Sequence, residues 1–187
     1  MRIVAGRFRG AALATPRGQD IRPTSDRVRE SVFNILVHGL GIEVEGARVL
    51  DLFAGTGALG LEAISRGAAF ALFVEESAEA RGLIRRNAET LGVMGATRIY
   101  RRDATRLGEA GTLAPFGLVF ADPPYGKALG KAALASAAVG GWLTRDAVAV
   151  MEEEAGAEFT LPDGFALLDQ RAYGGTAVYF LRADPPV

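Results

Sequence analysis

The stretch Asp51-Leu52-Phe53-Ala54-Gly55-Thr56-Gly57-Ala58-Leu59-Gly60 sets Gly55, Gly57 and Gly60 at G-x-G-x-x-G spacing. Between a strand and a helix, such glycines let backbone amides approach a ligand closely at a helix N-terminus. That spacing alone also fits a dinucleotide. Two acids narrow the choice. Asp51 stands on the approach to the turn, where its charge repels a pyrophosphate and suits a cation. Glu75 ends the next predicted strand, where a carboxylate accepts hydrogen bonds from ribose hydroxyls. A ligand with a ribose, a positive charge and no phosphate points to S-adenosylmethionine. The candidate cofactor residues are Asp51, Phe53, Ala54, Gly55, Gly57 and Glu75, joined by Asp103 and Ala104 after the third predicted strand. Asp103 is placed to accept from an adenine amine.

A second group is Asp122-Pro123-Pro124-Tyr125, directly after the fourth predicted strand. The two prolines fix φ and remove two backbone donors, which leaves bare carbonyls. Asp122 adds an acceptor and Tyr125 a flat face. Acceptors beside a flat ring suit an exocyclic amine on a planar base. On guanine N2 they favour a pyramidal nitrogen able to attack a methyl group. The candidate catalytic residues are Asp122, Pro123, Pro124 and Tyr125.

Other chemistry is excluded by composition. The 187 residues contain no cysteine and one histidine, His38. There is no thiolate nucleophile, disulfide framework or Cys-ligated zinc, and a multi-His metal site is excluded within one chain. No G-x-S-x-G elbow accompanies His38. No metal is expected. The N-terminus lacks the apolar run of a signal peptide and no span of about 18 apolar residues occurs, so the expected location is the cytoplasm.

The elements that position these residues follow from the apolar rhythm. Residues 2–15 read as one or two short strands, a possible hairpin. Thr24 and Ser25 cap a helix running to about His38. Its apolar face is Val28, Val32, Ile35 and Leu36, and its polar stripe is Arg27, Glu30, Ser31, Asn34 and His38. Strands are predicted at 48–53, 70–74, 98–101, 117–121, 147–151, 165–171 and 176–181. Helices fall between them, through 66, over 78–91 and over about 130–139. Glu152, Glu153 and Glu154 read as a solvated cluster, Arg101 and Arg102 as exposed charges, and Trp142 as packing. Strand–helix alternation closed by a hairpin implies a mostly parallel sheet covered on both faces, with an antiparallel edge. Right-handed crossovers bring the loops after strands one, two and four to one edge, where ligands bind. The expected division is an N-terminal extension, 1–46, and a catalytic domain, 47–183.

Charge is distributed unevenly. The net charge is −1. Residues 1–40 hold seven arginines against three acids, so a local excess of +4 stands against −5 in the rest. Such asymmetry suggests an anionic partner. Arg7, Arg9, Arg22, Arg27 and Lys127 are the candidate substrate contacts.

The segments RIVAGRFRG, RPTSDRVRESVFNIL at 22–36, DLFAGTGALGLEAISRGA at 51–68, FVE at 73–75, DPPY at 122–125 and YGGTAVYFLR at 173–182 together resemble the RsmD family. The resemblance covers essentially the whole chain. It implies a Rossmann-like class I S-adenosylmethionine-dependent methyltransferase fold with seven strands and a small N-terminal β/α extension. It further implies methylation of guanine N2 in small-subunit (16S) ribosomal RNA, with a 30S assembly intermediate as substrate. A monomer is expected. Related Asn/Asp-Pro-Pro-Tyr blocks also serve adenine-N6 and protein-glutamine methyltransferases. A nicotinamide oxidoreductase and a non-catalytic RNA-binding module are the alternatives from other classes.

Overall fold

The computed structural model describes residues 1–17 and 24–184; Arg22 and Pro23 lie outside the described residues. Seven strands form one sheet: β1 Arg48–Leu52, β2 Phe70–Val74, β3 Thr97–Tyr100, β4 Phe116–Ala121, β5 Leu143–Glu154, β6 Phe165–Tyr173 and β7 Thr176–Ala183. Four α-helices accompany them: α1 Asp26–Asn34, α2 Ala58–Ser65, α3 Ala78–Thr90 and α4 Leu129–Val139. The strand order is β3-β2-β1-β4-β5-β7-β6. The β1–β2, β2–β3, β1–β4 and β4–β5 pairs are parallel, and β7 runs antiparallel to both neighbours. The order turns back between β1 and β4, so a crevice opens at the carboxyl ends of those strands.

Near-continuous apolar runs explain the central strands, because helices cover both faces. Val49 packs with α1, α2 and α3, whereas Leu50 and Leu52 pack with α4 and Trp142 on the other face. This alternation turns Asp51 toward α2. Trp142 is buried as expected and donates its indole N–H to Gly108 O at 2.8 Å.

The N-terminal segment pairs with itself as a short hairpin without extended strands: Ile3 N–H donates to Ala11 O, Gly10 N–H to Ile3 O and Leu13 N–H to Met1 O, around one isolated antiparallel bridge, Arg2↔Ala12. Its other amides turn to α2 side chains: Val4 and Ala5 N–H donate to Glu62 and Phe8 N–H to Ser65 Oγ. Gly6 is obligatory there, since a Cβ would sit 1.9 Å from Ser65 O. Ile3, Leu13, Val32, Phe33 and Leu36 share one apolar cluster with β1 and α2.

The first helix begins as predicted, with Ser25 Oγ accepting from Val28 N. Its α-helical hydrogen bonding ends at Asn34 and widens into a π turn, Ile35–Gly39, closed by Leu40 N–H donating to Ile35 O at 2.8 Å. His38 is exposed in that turn. Of the polar stripe, Arg27, Glu30, Asn34 and His38 are exposed, while Ser31 hydrogen-bonds to the Tyr173 hydroxyl. Arg29, counted among the basic residues of the arm, is fully buried against Asp26 and Glu62. The acidic run of β5 also corrects the sequence reading. Glu152 and Glu153 are buried because the strand continues past Met151 and pairs with β7. Only Glu154 is exposed.

Candidate active site

A cleft of about 800 Å³ opens at the carboxyl edge of β1, β2 and β4. Asp51 forms part of its floor and is 2% exposed. Its Oδ2 accepts from Gly60 N at 3.0 Å. Burial pushes the Asp51 carboxyl well above the usual carboxylate range; the Gly60 hydrogen bond opposes this, and the charges of Asp122 and Glu75 reinforce it. The shift favours the protonated form, so a cation entering the cleft gains most from Asp51 as pH rises and the carboxyl ionises.

Each glycine of the turn has its own reason. Gly55 and Gly57 take φ of 56° and 79°, which only glycine adopts without strain. Gly60 is a packing position: a Cβ would stand 2.4 Å from Phe73 Cε1. Phe53 itself takes φ 57°, at a cost of roughly 1–2 kcal/mol for an L-residue. Glu75 Oε2 accepts from Gly55 N at 2.8 Å and Oε1 from Ser77 N at 2.9 Å. Thus the acid assigned to a ribose also holds the glycine turn in place.

The Asp122 block enters the same cleft from β4. Thr24 Oγ1 donates to Asp122 Oδ2 at 2.8 Å and lies 3.5 Å from Glu152 Oε1. Tyr125 is half-buried, and its hydroxyl is 2.8 Å from Thr176 Oγ1. Gly126 N–H donates to Glu153 Oε1 at 3.3 Å, which ties the loop back to β5. The β6–β7 turn, including Gly174 and Gly175, completes that wall.

The structure therefore brings Asp51, Phe53, Ala54, Gly55, Glu75, Ala104 and all four residues of the 122–125 block into one cleft. Gly57 shapes the turn without lining it. Asp103 is also outside the lining: its Oδ1 accepts from Thr105 Oγ1 and N, and these bonds, hydroxyl first, pull its carboxyl below the ordinary value. Arg27, Glu30 and Asn34 face solvent, whereas Thr24, Ser25 and Val28 of the same segment line the cleft. Arg7, Arg9 and Lys127 are exposed beyond it, and Arg22 lies outside the described residues. Arg102 is exposed as predicted yet reaches the rim, stacked over Tyr100. Sequence reading misses Thr24, Glu152 and Thr176, all of which become visible only through partners distant in the chain.

The room and donor set fit a nucleoside cofactor. Small residues at Ala54, Gly55 and Ala58 open the backbone, and acids stand at the floor and at the end of β2. Among the described residues no cluster of His, Cys, Asp and Glu suits a metal ion, and no helix is long and apolar enough to cross a membrane.

Comparison with known proteins agrees with this architecture. A family model described as "Conserved hypothetical protein 95" matches residues 1–182. "Ribosomal RNA small subunit methyltransferase D" of Escherichia coli (strain K12) is 35% identical over 178 residues, covering 95% of this chain and 87% of that one. "Putative rRNA methyltransferase YlbH" of Bacillus subtilis (strain 168) is 35% identical over 184 residues, covering 96% and 98%. The solved structure "Putative methyltransferase yhhF from Escherichia coli" superposes with a TM-score of 0.84 at 31% identity, covering 100% and 99%. The fold is that of the Rossmann-like methyltransferases, and with a match along nearly its whole length the chain belongs to the family of the conserved hypothetical protein 95 model, the RsmD family.

Proposed function

We propose that this protein is an S-adenosylmethionine-dependent methyltransferase acting on the exocyclic N2 of a guanine in small-subunit ribosomal RNA. One observation carries the reading. The acceptor-rich 122–125 block and the Gly55 turn, with Asp51 and Glu75, open into a single cleft at the sheet's switch point. The names of the relatives support the rRNA substrate.

The residues divide the work. Gly55, Ala54 and Phe53 present backbone to the cofactor, Gly57 sets the turn, Glu75 faces the ribose and Asp51 the positive charge. Ala104 borders the adenine, with Asp103 shaping the loop beneath it. S-adenosylmethionine supplies an electrophilic methyl group when bound. A guanine flipped out of the RNA enters the cleft, as base-modifying enzymes commonly require. Tyr125 stacks on it, and the Thr176 contact fixes the plane of that ring. Asp122 and the Pro123 carbonyl accept from N2, while Pro124 holds the loop rigid. Catalysis is then orientation and electrostatics around a direct transfer. Residues 1–46 act as a basic arm on the catalytic body, 47–183. Arg7, Arg9, Arg27 and Lys127 are exposed where phosphates can reach them, and Arg22 belongs to the same proposal.

The test is transfer of a labelled methyl group to unmodified small subunits, followed by mapping of the modified nucleotide. Label on guanine N2 is expected; label on adenine or protein, or none, overturns the assignment. A second prediction concerns the arm. Replacing Arg7 and Arg9 by alanine is expected to weaken RNA binding and to flatten its salt dependence by roughly one log–log unit for each phosphate that the arm no longer neutralises. An unaltered slope in titrations at several salt concentrations removes the arm from the interface.

A further inference from the structure

Glu152 is the least expected group in the cleft. The residue is 4% exposed, yet it lines the cleft together with Asp122. Their neighbourhood is set by the sheet. Ala121 pairs with Met151 in the parallel β4–β5 register, so Asp122 and Glu152 are the next residues of adjacent strands. Adjacent strands lie about 4.8 Å apart. Two carboxylates thus leave the same edge side by side, and both reach one hydroxyl, Thr24 Oγ1, at 2.8 and 3.5 Å.

Burying one carboxylate beside another is unfavourable unless donors face them. Glu152 shares the Thr24 hydroxyl with Asp122, and both line the cleft. The Thr24 hydroxyl marks where hydrogen-bond donors are accepted by the pair.

We propose that Glu152 is a specificity-determining residue that accepts the ring N1–H of guanine while Asp122 accepts from N2. This rests on the guanine-N2 reading above. Guanine carries its two donors, N1–H and N2–H, side by side on one edge. Adenine offers an amine beside a bare N1 lone pair, which a carboxylate repels. Neighbouring acceptors on β4 and β5 therefore select guanine and reject a base with an unprotonated N1. Such discrimination by a buried polar group is large, because the wrong partner leaves it unpaired.

The test uses small subunits reconstituted with either guanine or 2-aminopurine at the mapped position. The analogue keeps the 2-amine that accepts the methyl group but has no N1–H. Wild-type protein is expected to prefer guanine by at least roughly 10²-fold in kcat/KM. In Glu152→Gln that ratio is expected to shrink tenfold or more, since an amide can donate to the bare N1 as readily as its oxygen accepts from N1–H. Comparing ratios cancels other differences between the two bases. Cofactor affinity within about threefold of wild type shows that the variant is folded. A ratio unchanged by the substitution overturns the role of Glu152, and so does a wild type that methylates both bases equally, whatever the variant does. Absence of any wild-type methylation at guanine N2 is a different failure, which overturns the function itself and this assignment with it.

Discussion

Asp122→Ala is expected to lower kcat by roughly 10²–10³-fold, the loss typical of removing one preorganised electrostatic group from a transition state. The effect belongs in kcat because of when the interaction matters. N2 of guanine is neutral in the ground state and gains positive charge as its lone pair bonds to carbon. A carboxylate accepting from N2–H stabilises that charge more than it stabilises the bound base. Asp122 is positioned by the Thr24 hydroxyl and by its place directly after β4. Asp122→Asn is expected to retain an intermediate rate, since its amide oxygen still accepts but carries no full charge. Cofactor affinity is expected to stay within a few-fold, because the Gly55 turn with its Glu75 contact and the Asp51–Gly60 bond are left in place. Single-turnover methyl transfer alongside cofactor titration separates the two. A kcat within threefold of wild type in Asp122→Ala excludes Asp122 from catalysis.

The residues behind this expected loss are legible in the sequence for a definite reason. Asp51, Gly55, Glu75 and Asp122 each follow or end an apolar run, and parallel strands with right-handed crossovers put all such ends on one edge. Period and punctuation suffice, and the seven observed strands begin within four residues of those expected. What the sequence hides depends on pairing across the sheet. Glu152, Glu153 and Glu154 look alike in one dimension. The antiparallel partner β7 buries the first two, and only the β4 register shows that Glu152 neighbours Asp122. Asp103 falls outside the cleft lining, where a local partner two residues away, Thr105, engages its Oδ1. Alternation in the N-terminal arm shows its short hairpin pairing, but it cannot show that the amides of Val4 and Ala5 bond to a distant side chain, Glu62.

That distant side chain gives the largest stability prediction. Glu62→Ala is expected to destabilise the protein by about 3–5 kcal/mol, the range for removing one partner of a buried ion pair. Glu62 and Arg29 both have fully buried side chains. The Glu62 carboxylate accepts from Val4 N and Ala5 N, each at 2.9 Å, and from Arg66 Nε at 3.0 Å; Arg29 Nε lies 3.9 Å away. Alanine therefore removes one of the two carboxylates facing the buried Arg29 guanidinium and leaves two arm amides without their acceptor. At about 2–4 °C per kcal/mol for a domain of this size, the melting temperature is expected to fall by roughly 6–20 °C. Arg29 also donates to Arg2 O and pairs with Asp26 at 2.7 Å, so the same loss loosens the start of α1 and the adjoining Thr24. The arm is then expected to become sensitive to protease at temperatures where the sheet remains folded, and methyl transfer to fall before cofactor binding does. A melting temperature within about 2 °C of wild type, with an arm still protected, refutes the view that Glu62 anchors it. The basic arm and the proposed catalytic acid are thus joined through two helices: Glu62 of α2 seats the arm, Arg29 links it to α1, and Thr24 carries that connection to Asp122.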